Sequence, residues 1–558
     1  MTETRSISIA ICQFGYPTAE FPFYHVKVCM KLEDTDLKVD NIVANGDKIR
    51  DFQVFNDGKE SYKKIAEANA KTEIVARVNW ENDRSYDLKI VGEPSSTGDS
   101  IELEGITAHA PSYGGYWDKA WKHYAGAVLT ETAGISRDKE PVHLTLSCYE
   151  DRIDSADEIR VVGIDPETGA AEEVPCQVYG FDRWNVSELV EKESYRYQPT
   201  VTLELAFLAD VSADAQKVYL IFYGNPQAAA PTYETDLKVI PGSHQLELEI
   251  ENDDYRMKLH DKSGFIDEIT IKQGVHAQLD HHLEPPGTIH WNPGCYAPPR
   301  AWSHASDWNP PDHFTETAGP IFLMRQYWGK LPFEIDEISA SVTYLFYAHN
   351  PYMVISTTLK IDAAITVQAL RNGEFVFKKD QFDEFIWKDN TGEVGRLKLA
   401  EARPHPGQAV RIAPNVPWLA LLNREGGYGF GGISLSYVNE RLNEGLVRIT
   451  QPHFYIEIGP WVYWCRPLIN TFITNNPQRM VRVPEGCLYL ERNAYLPFQL
   501  NPDNEYAALD RYQKMLSHPL EVVEIFMDTA QRVPEKWVQG IISEAFEELP
   551  PEEVFQSD

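Results

Sequence analysis

The sequence lacks long apolar runs and is poor in positive charge. Its 558 residues contain 51 Lys and Arg against 84 Asp and Glu, a formal net charge of −33. A surface this acidic repels phosphate backbones and anionic lipid, so we expect neither a nucleic-acid partner nor a membrane partner. No stretch approaches the roughly 20 apolar residues of a spanning helix. The start, MTETRSISIAICQFG, lacks the basic region and apolar core of a signal peptide.

Cysteine and the common catalytic motifs are also scarce. Seven widely spaced cysteines form neither a disulfide framework nor a CxxC pattern, which favours a reducing, cytoplasmic location. The chain contains no GxSxG, no P-loop and no GxGxxG after a strand. The Gly-rich EGGYGFGG is not followed by a lysine and a helix, so a β-turn or bulge is the better interpretation. These absences disfavour serine-hydrolase and nucleotide-binding chemistry.

Helical periodicity is rare, whereas short alternating runs of strand length extend along most of the chain. We therefore predict a mostly β fold, with N-terminal β-sandwich modules, a large two-sheet β structure and short C-terminal helices. Residues 59–71 are the one early stretch with a helical appearance. The first two modules could equally form one large sandwich. The expected divisions are 1–125, 126–232, 237–500 and 501–558.

The segment 281–313, HHLEPPGTIHWNPGCYAPPRAWSHASDWNPPDH, concentrates most of the reactive side chains. Seven of the sixteen histidines lie between His260 and His313. Its prolines and glycines disfavour a regular ladder, and a long loop of this kind is usually functional or disordered. Its aromatic content argues against disorder. We expect a stiff functional loop.

That loop carries the chemistry of a carbohydrate cleft. Imidazoles move protons near neutral pH, guanidinium groups hold carboxylates, and indole faces stack on the apolar faces of sugar rings. The alternative is that the tryptophans are core anchors and the histidines are surface groups. The substrate-binding candidates are Trp291, Arg300, Trp302, Trp308, Arg325, Trp464 and Arg466.

The block LELEIENDDYRMKLHDKSGFIDEITIKQG resembles the opening of a galactose-mutarotase-like β-supersandwich. The later TAGPIFLMRQYWGKLP, SVTYLFYAHNPYMVISTTLKI and YIEIGPWVYWCRPLI are similar to strands of the same architecture, over about half of the chain. The resemblance implies a carbohydrate-active enzyme of the kind that includes polysaccharide lyases and the C-terminal regions of α-mannosidases. Many such lyases also carry a helical toroid, and this chain has no long helical array.

The preferred reaction is polysaccharide degradation by a lyase, through β-elimination from a uronic-acid-containing saccharide. Such a lyase needs a group that neutralises the carboxylate, a base and an acid. Arg300, Arg325 and Arg466 could neutralise the carboxylate, although Arg325 could instead pair with Glu316 or Asp336. The catalytic candidates are His290, His304, His313 and His453 as bases, and Tyr296 and Tyr463 as acids. This assignment requires the loop to fold over a concave sheet and meet Arg466.

Several alternatives remain open. A glycoside hydrolase would use two carboxylates, and a sugar epimerase would use a His and a Glu. A non-catalytic carbohydrate-binding protein would use the tryptophans alone. No cofactor is required, but a divalent metal is possible, although the adjacent His281 and His282 would point to opposite faces of a strand. The hydrolase carboxylates would come from Glu284, Asp307, Asp312 and Glu316, and the metal ligands from His276, Asp280, His290, Cys295 and His304. The sequence does not determine the oligomeric state.

Overall fold

A computed structural model of the chain describes most of its residues. The described residues are 8–15, 24–31, 36–78, 85–95, 100–109, 117–118, 120–165, 170–185, 197–272, 277–280, 287–401, 410–413, 416–441, 446–447, 453–456, 461–470 and 479–530. Within them the fold is mostly β, as predicted.

The N-terminal module consists of two five-stranded sheets. One has the order β1-β2-β8-β5-β6, and the other has the order β10-β9-β3-β4 with β7 paired to β3. Its strands are β1 (Ser8–Gly15), β2 (Tyr24–Lys31), β3 (Leu37–Ala44), β4 (Asp47–Ile49), β5 (Phe52–Asn56), β6 (Lys59–Glu60), β7 (Ile65–Ala66), β8 (Lys71–Val78), β9 (Ser85–Pro94) and β10 (Ile101–His109). The predicted helix at 59–71 is wrong, because two short strands and turns occupy those residues.

The second module packs a four-strand set, β14-β13-β17-β11, against a three-stranded sheet, β12-β16-β15. Its strands are β11 (His123–Thr130), β12 (Arg137–Tyr149), β13 (Arg160–Ile164), β14 (Ala171–Val174), β15 (Cys176–Trp184), β16 (Thr200–Val211) and β17 (Gln216–Tyr223). Inward-facing side chains such as Leu203, Leu205 and Ile221 form a separate hydrophobic core.

The large β structure contains a five-stranded, a six-stranded and a ten-stranded sheet around one core. A pair, β29-β39, completes it. Its strands are β18 (Lys238–Pro241), β19 (Leu248–Glu251), β20 (Tyr255–Leu259), β21 (Ile266–Ile271), β22 (Ala277–Asp280), β23 (Gly294–Tyr296), β24 (Trp302–His304), β25 (His313–Ala318), β26 (Phe322–Leu331), β27 (Ile335–Tyr347), β28 (Met353–Ile361), β29 (Ile365–Val367), β30 (Ala369–Lys378), β31 (Glu384–Lys388), β32 (Val394–Lys398), β33 (Val410–Arg411), β34 (Trp418–Asn423), β35 (Tyr428–Arg441), β36 (Leu446–Val447), β37 (His453–Ile456), β38 (Trp461–Asn470), β39 (Val481–Val483) and β40 (Cys487–Gln499).

Two of these sheets position the candidate sites. The six-stranded sheet has the order β24-β23-β30-β38-β37-β33. The ten-stranded sheet has the path β25-β26-β27-β28-β40-β35-β34-β31-β32, with β36 paired to β35. The predicted loop at 281–313 therefore contributes two short strands, β23 and β24, to the six-stranded sheet instead of remaining wholly irregular.

The C-terminal region is partly helical and partly strand. Helix α1 (Ala507–Ser517) is followed by β41 (Glu521–Ala530), which pairs with β11 of the second module. The predicted helical tail at 501–558 thus contains a strand, because these residues complete a sheet formed much earlier in the chain. The second predicted helical stretch, 535–549, lies outside the described residues.

One face of the ten-stranded sheet joins the modules. Val354, Ala494 and Ile433 on that face pack in one hydrophobic cluster with Leu208 of the second module and Leu509 of α1. The opposite face packs on the core of the large β structure. The second module covers only part of the first face, and the uncovered part carries polar side chains.

Candidate functional site

A row of polar side chains crosses the uncovered part of the ten-stranded sheet. Cross-strand pairing aligns them, and their chain neighbours, such as Tyr327 and Tyr344, point into the core. All are partly or fully exposed, and none of their side chains has a hydrogen-bond partner among the described residues. We call these residues the polar row: Thr315, Gln326, Thr343, Ser356, Arg492 and Ser436.

A second aligned row begins with His313 and Trp328 and continues through Ser341 and Thr358. The rings of His313 and Trp328 have centroids 5.4 Å apart and are tilted by 31°. His313 is exposed and Trp328 is half-buried. The predicted candidate His313 therefore lies at an accessible surface beside an indole, on a different sheet from His304.

At the margin of the polar row, the second module brings a histidine and a tyrosine to the large sheet. His143 of β12 has Nδ1 3.2 Å from the Tyr179 hydroxyl and Nε2 3.2 Å from the Tyr347 hydroxyl. The positive charge of Arg492 acts on both His143 and Tyr347. We call His143, Tyr179, Tyr347 and Arg492 the rim cluster.

The environment sets the protonation states of the rim cluster. Part of His143 is exposed. Its pKa is nevertheless lowered to about 4, mainly because neighbouring groups remove water from the ring and also because Arg492 is positively charged. Burial raises the pKa of the hydroxyls of Tyr179 and Tyr347. At neutral pH, His143 is therefore an uncharged proton acceptor between two protonated hydroxyls.

The loop predicted to be functional forms an aromatic stack, which we define as Trp291, Tyr296, Trp302 and His304. Tyr296 and Trp302 are 4.9 Å apart and nearly parallel, and Trp302 and His304 are 5.6 Å apart. Trp291 lies 5.3 Å from His304, and the Arg371 guanidinium lies 4.8 Å from the Trp302 ring. Because the rings largely face one another, they leave less ring surface free for a sugar than the predicted tryptophan platform would need.

His304 also has an acidic neighbour. Its Nδ1 lies 3.3 Å from an Asp307 carboxylate oxygen, and the same oxygen accepts the His304 backbone N–H. Such a pair orients an imidazole. His304 is half-buried.

His290 and Trp308 belong to the core. His290 is fully buried between the rings of Phe265 and Phe375, with Nδ1 2.8 Å from the Tyr344 hydroxyl. Burial lowers its pKa to about 3. Trp308 is buried and donates its indole N–H to the Lys330 carbonyl. Neither residue lies in a cleft as predicted, because apolar packing places both side chains inside the protein.

Two predicted substrate-binding arginines are engaged elsewhere. Arg300 pairs with Glu337 at 2.8 Å and donates to the Glu334 carbonyl. Arg325 is buried, pairs with Glu316 and donates to the Leu246 carbonyl. The alternative weighed for Arg325, a pair with Glu316, is therefore the arrangement found.

The expected meeting of the loop with Arg466 does not occur. Side chains alternate along β38, so Tyr463 faces outward while Trp464 and Arg466 face the large sheet. Arg466 pairs with Glu491 of β40 at 3.0 Å. The aromatic stack lies on the outer face of the six-stranded sheet. Arg371 of β30 contacts the Trp302 ring. The next residue, Asn372, is the strand partner of the inward-facing Arg466, so Arg371 is on the outer side.

The remaining predicted residues are four histidines and the suggested metal ligands. The backbone of His453 lies in β37, but its side chain is outside the described residues, as are His276, His281 and His282. Among the residues described, no group of three or more His, Cys, Asp or Glu side chains is placed to hold a metal ion. Cys295, one suggested ligand, is buried in the core.

Sequence reasoning missed every residue of the rim cluster and of the polar row. Their members come from distant segments, and His143 is an isolated histidine in the run PVHLTLSCY. One signal was available, the alternation of Ser and Thr with apolar residues in β27 and β28, such as SASVTYLFY and VISTTLKI. That alternation indicates a sheet face that is not covered by apolar packing.

Comparisons with known proteins identify no family. No protein-family model and no curated protein matches the chain. A solved glycosyl hydrolase family 38 protein from Enterococcus faecalis matches with 13% identity and a TM-score of 0.44, covering 76% of this chain and 49% of that one. An α-mannosidase from Enterococcus faecalis V583 matches with 12% identity and a TM-score of 0.44, covering 76% of this chain and 47% of that one.

A galactose mutarotase related enzyme from Lactobacillus acidophilus matches with 9% identity and a TM-score of 0.28, covering 45% of this chain and 97% of that one. This chain thus spans about half the length of the two Enterococcus proteins. Likenesses at this level carry no argument about its chemistry. Separately, none of the helices in the described part of the chain has the length and apolar character needed to cross a membrane.

Proposed function

We propose that the chain is a carbohydrate-active enzyme that binds a saccharide on the uncovered face of the ten-stranded sheet and transfers protons at the rim cluster. The observation that carries the proposal is the convergence of His143, Tyr179 and Tyr347 with Arg492, which pairs with no carboxylate in the described part of the chain. The adjoining polar row offers hydroxyl and amide groups that have no partner within the described protein. Such groups match the donors and acceptors of sugar hydroxyls.

Within this proposal, β-elimination from an acidic saccharide is the reaction that the residues favour. Neutral His143 would remove the proton next to the carboxylate, and the electron pair would form the new double bond. A tyrosine hydroxyl would give its proton to the leaving oxygen. Arg492 would neutralise the carboxylate and so make the proton removable. Epimerisation and hydrolysis are the alternatives.

Product analysis tests the proposal. Uronic-acid-containing oligosaccharides are incubated with the protein and followed by ultraviolet absorbance of the unsaturated uronate, by reducing-end assay and by NMR of sugar configuration. We expect unsaturated products. Reducing ends without unsaturation would indicate a hydrolase, and inverted configuration would indicate an epimerase. Binding without any product would refute the enzymatic proposal.

Variants link the activity to the rim cluster. We expect His143→Gln to reduce turnover by roughly 100-fold or more, the contribution of one acid–base group, with saccharide binding largely kept. Arg492→Gln should weaken the binding of acidic saccharides. The matched control is Arg482→Gln, an equally exposed arginine on β39. Full activity of His143→Gln would exclude the proposed base.

A further inference from the structure

We infer that the ligand of this face is an extended acidic oligosaccharide that lies across the strands, with one sugar unit for each strand. This inference rests on the proposed function and specifies its substrate class. The acidic unit would lie at Arg492, and later units would extend over β28, β27 and β26.

Strand spacing supports this direction. Neighbouring strands are about 4.8 Å apart, close to the length of one pyranose unit in an extended chain. Starting from Arg492 on β40, the polar row continues with Ser356 on β28, Thr343 on β27 and Gln326 on β26. A saccharide lying across the strands therefore meets a new hydrogen-bonding side chain at each successive unit.

The chemistry of the row supports an acidic first unit. Ser356, Thr343 and Gln326 can each donate and accept a hydrogen bond, as sugar hydroxyls require. Arg492 is the charged member of the row, and no carboxylate pairs with it within the described structure. An unpaired guanidinium in a chain of net charge −33 is a specific feature that a sugar carboxylate would complement.

The neighbouring residues define where the chain can lie. On one side of the row, Val354, Ala494 and Ile433 are covered by the second module and α1. On the other side, Trp328 follows Gln326 along β26 and offers an indole next to the fourth unit. Three strand spacings, about 14 Å, separate Arg492 from the Gln326 and Trp328 strand. The face therefore has room for about four sugar units between β40 and β26, and Thr315 on the edge strand β25 ends the row.

Chain-length dependence tests the inference. Calorimetric titration of inactive His143→Gln protein with uronic-acid oligomers, from monomer to hexamer, should give affinities that rise stepwise to the tetramer and level off by the pentamer, because Thr315 on the edge strand β25 ends the row. A monomer that binds as tightly as the tetramer would overturn this inference and leave the proposed function intact. Failure of every oligomer to bind would contradict the proposed function itself.

Position-specific variants make the test sharper. Ser356→Ala should weaken dimer and tetramer alike, by roughly three- to ten-fold for one hydrogen bond. Gln326→Met should weaken the tetramer by a similar factor and leave the dimer unchanged. Thr366→Val on β29, away from the face, is the control. Equal effects of Gln326→Met on dimer and tetramer would contradict the proposed order of units.

Discussion

His143 and His290 illustrate how surroundings decide the role of a residue. Both have a lowered pKa, first because water is removed from around the ring. His290 lies wholly inside the core between two phenylalanine rings, whereas His143 retains exposed surface and has Arg492 nearby. The same side chain is therefore a packing element at one position and a candidate proton acceptor at the other.

Acid should destabilise the protein through His290. Its pKa is about 3 in the folded chain and about 6.5 when unfolded, so the unfolded state binds the proton more readily below pH 6.5. Stability should fall with decreasing pH between those values, by up to roughly 1.4 kcal/mol for each pH unit. Urea unfolding across this range measures the slope. His290→Phe should reduce the slope and leave the part that comes from His143, whose pKa is also lowered. His313→Phe is the control at an exposed position.

Turnover should fall as the pH falls through about 4, because the proposed base His143 is then protonated. The charged and titratable groups around it are Arg492, Tyr179 and Tyr347. Arg492→Gln removes the nearby positive charge and should move this limb of the profile to higher pH. A pH–rate profile on short acidic oligosaccharides measures both. If the acidic side of the pH–rate profile did not move in Arg492→Gln, the charge of Arg492 would not be a cause of the lowered pKa of His143.

At the scale of elements, Arg137 of β12 connects the second module to the C-terminal helix α1. Its fully buried guanidinium pairs with Glu131 at 2.7 Å and with Glu140 at 2.6 Å. It also donates to the carbonyls of Met515 and His518 at the end of α1. This single side chain thereby fixes the helix end from which β41 departs toward β11.

Arg137→Met should lower the free energy of unfolding by about 3–5 kcal/mol, since two carboxylates would remain buried without their cation. Urea denaturation measures the loss. Arg183→Met removes an exposed pair with Glu150 and should change stability by less than about 1 kcal/mol. If the two variants lost similar free energies of unfolding, burial would not be what makes the Arg137 ion pairs important for stability.

At the scale of the whole molecule, the candidate site exists because two modules meet in one arrangement. The Gln177 side-chain oxygen of the second module accepts the backbone N–H groups of Ile321 and Phe322, at 3.1 and 3.0 Å. These bonds lie close to Tyr347 and Tyr179, whose rings surround His143. The junction therefore holds Phe322 against the rings of His143 and Tyr179.

Gln177→Met should cost about 2–4 kcal/mol of stability, because two buried N–H groups lose their acceptor. It should also reduce turnover more than it reduces saccharide binding, since it disturbs the rim cluster and spares the polar row. Thermal unfolding and steady-state kinetics measure the two effects. Gln513→Met on the surface of α1, where the amide donates to Ser517, is the control.

The sequence by itself determined the mostly β class, because alternation with period two forces one face of each strand into a core. It also named His313 as a candidate base, and the structure places that histidine at an accessible surface. Only tertiary structure decided which histidines are buried, which face of β38 carries Arg466, and that β41 returns to β11. Those outcomes depend on pairing between residues about 80 to about 400 positions apart, and a one-residue change in register reverses the side of the sheet that every side chain occupies.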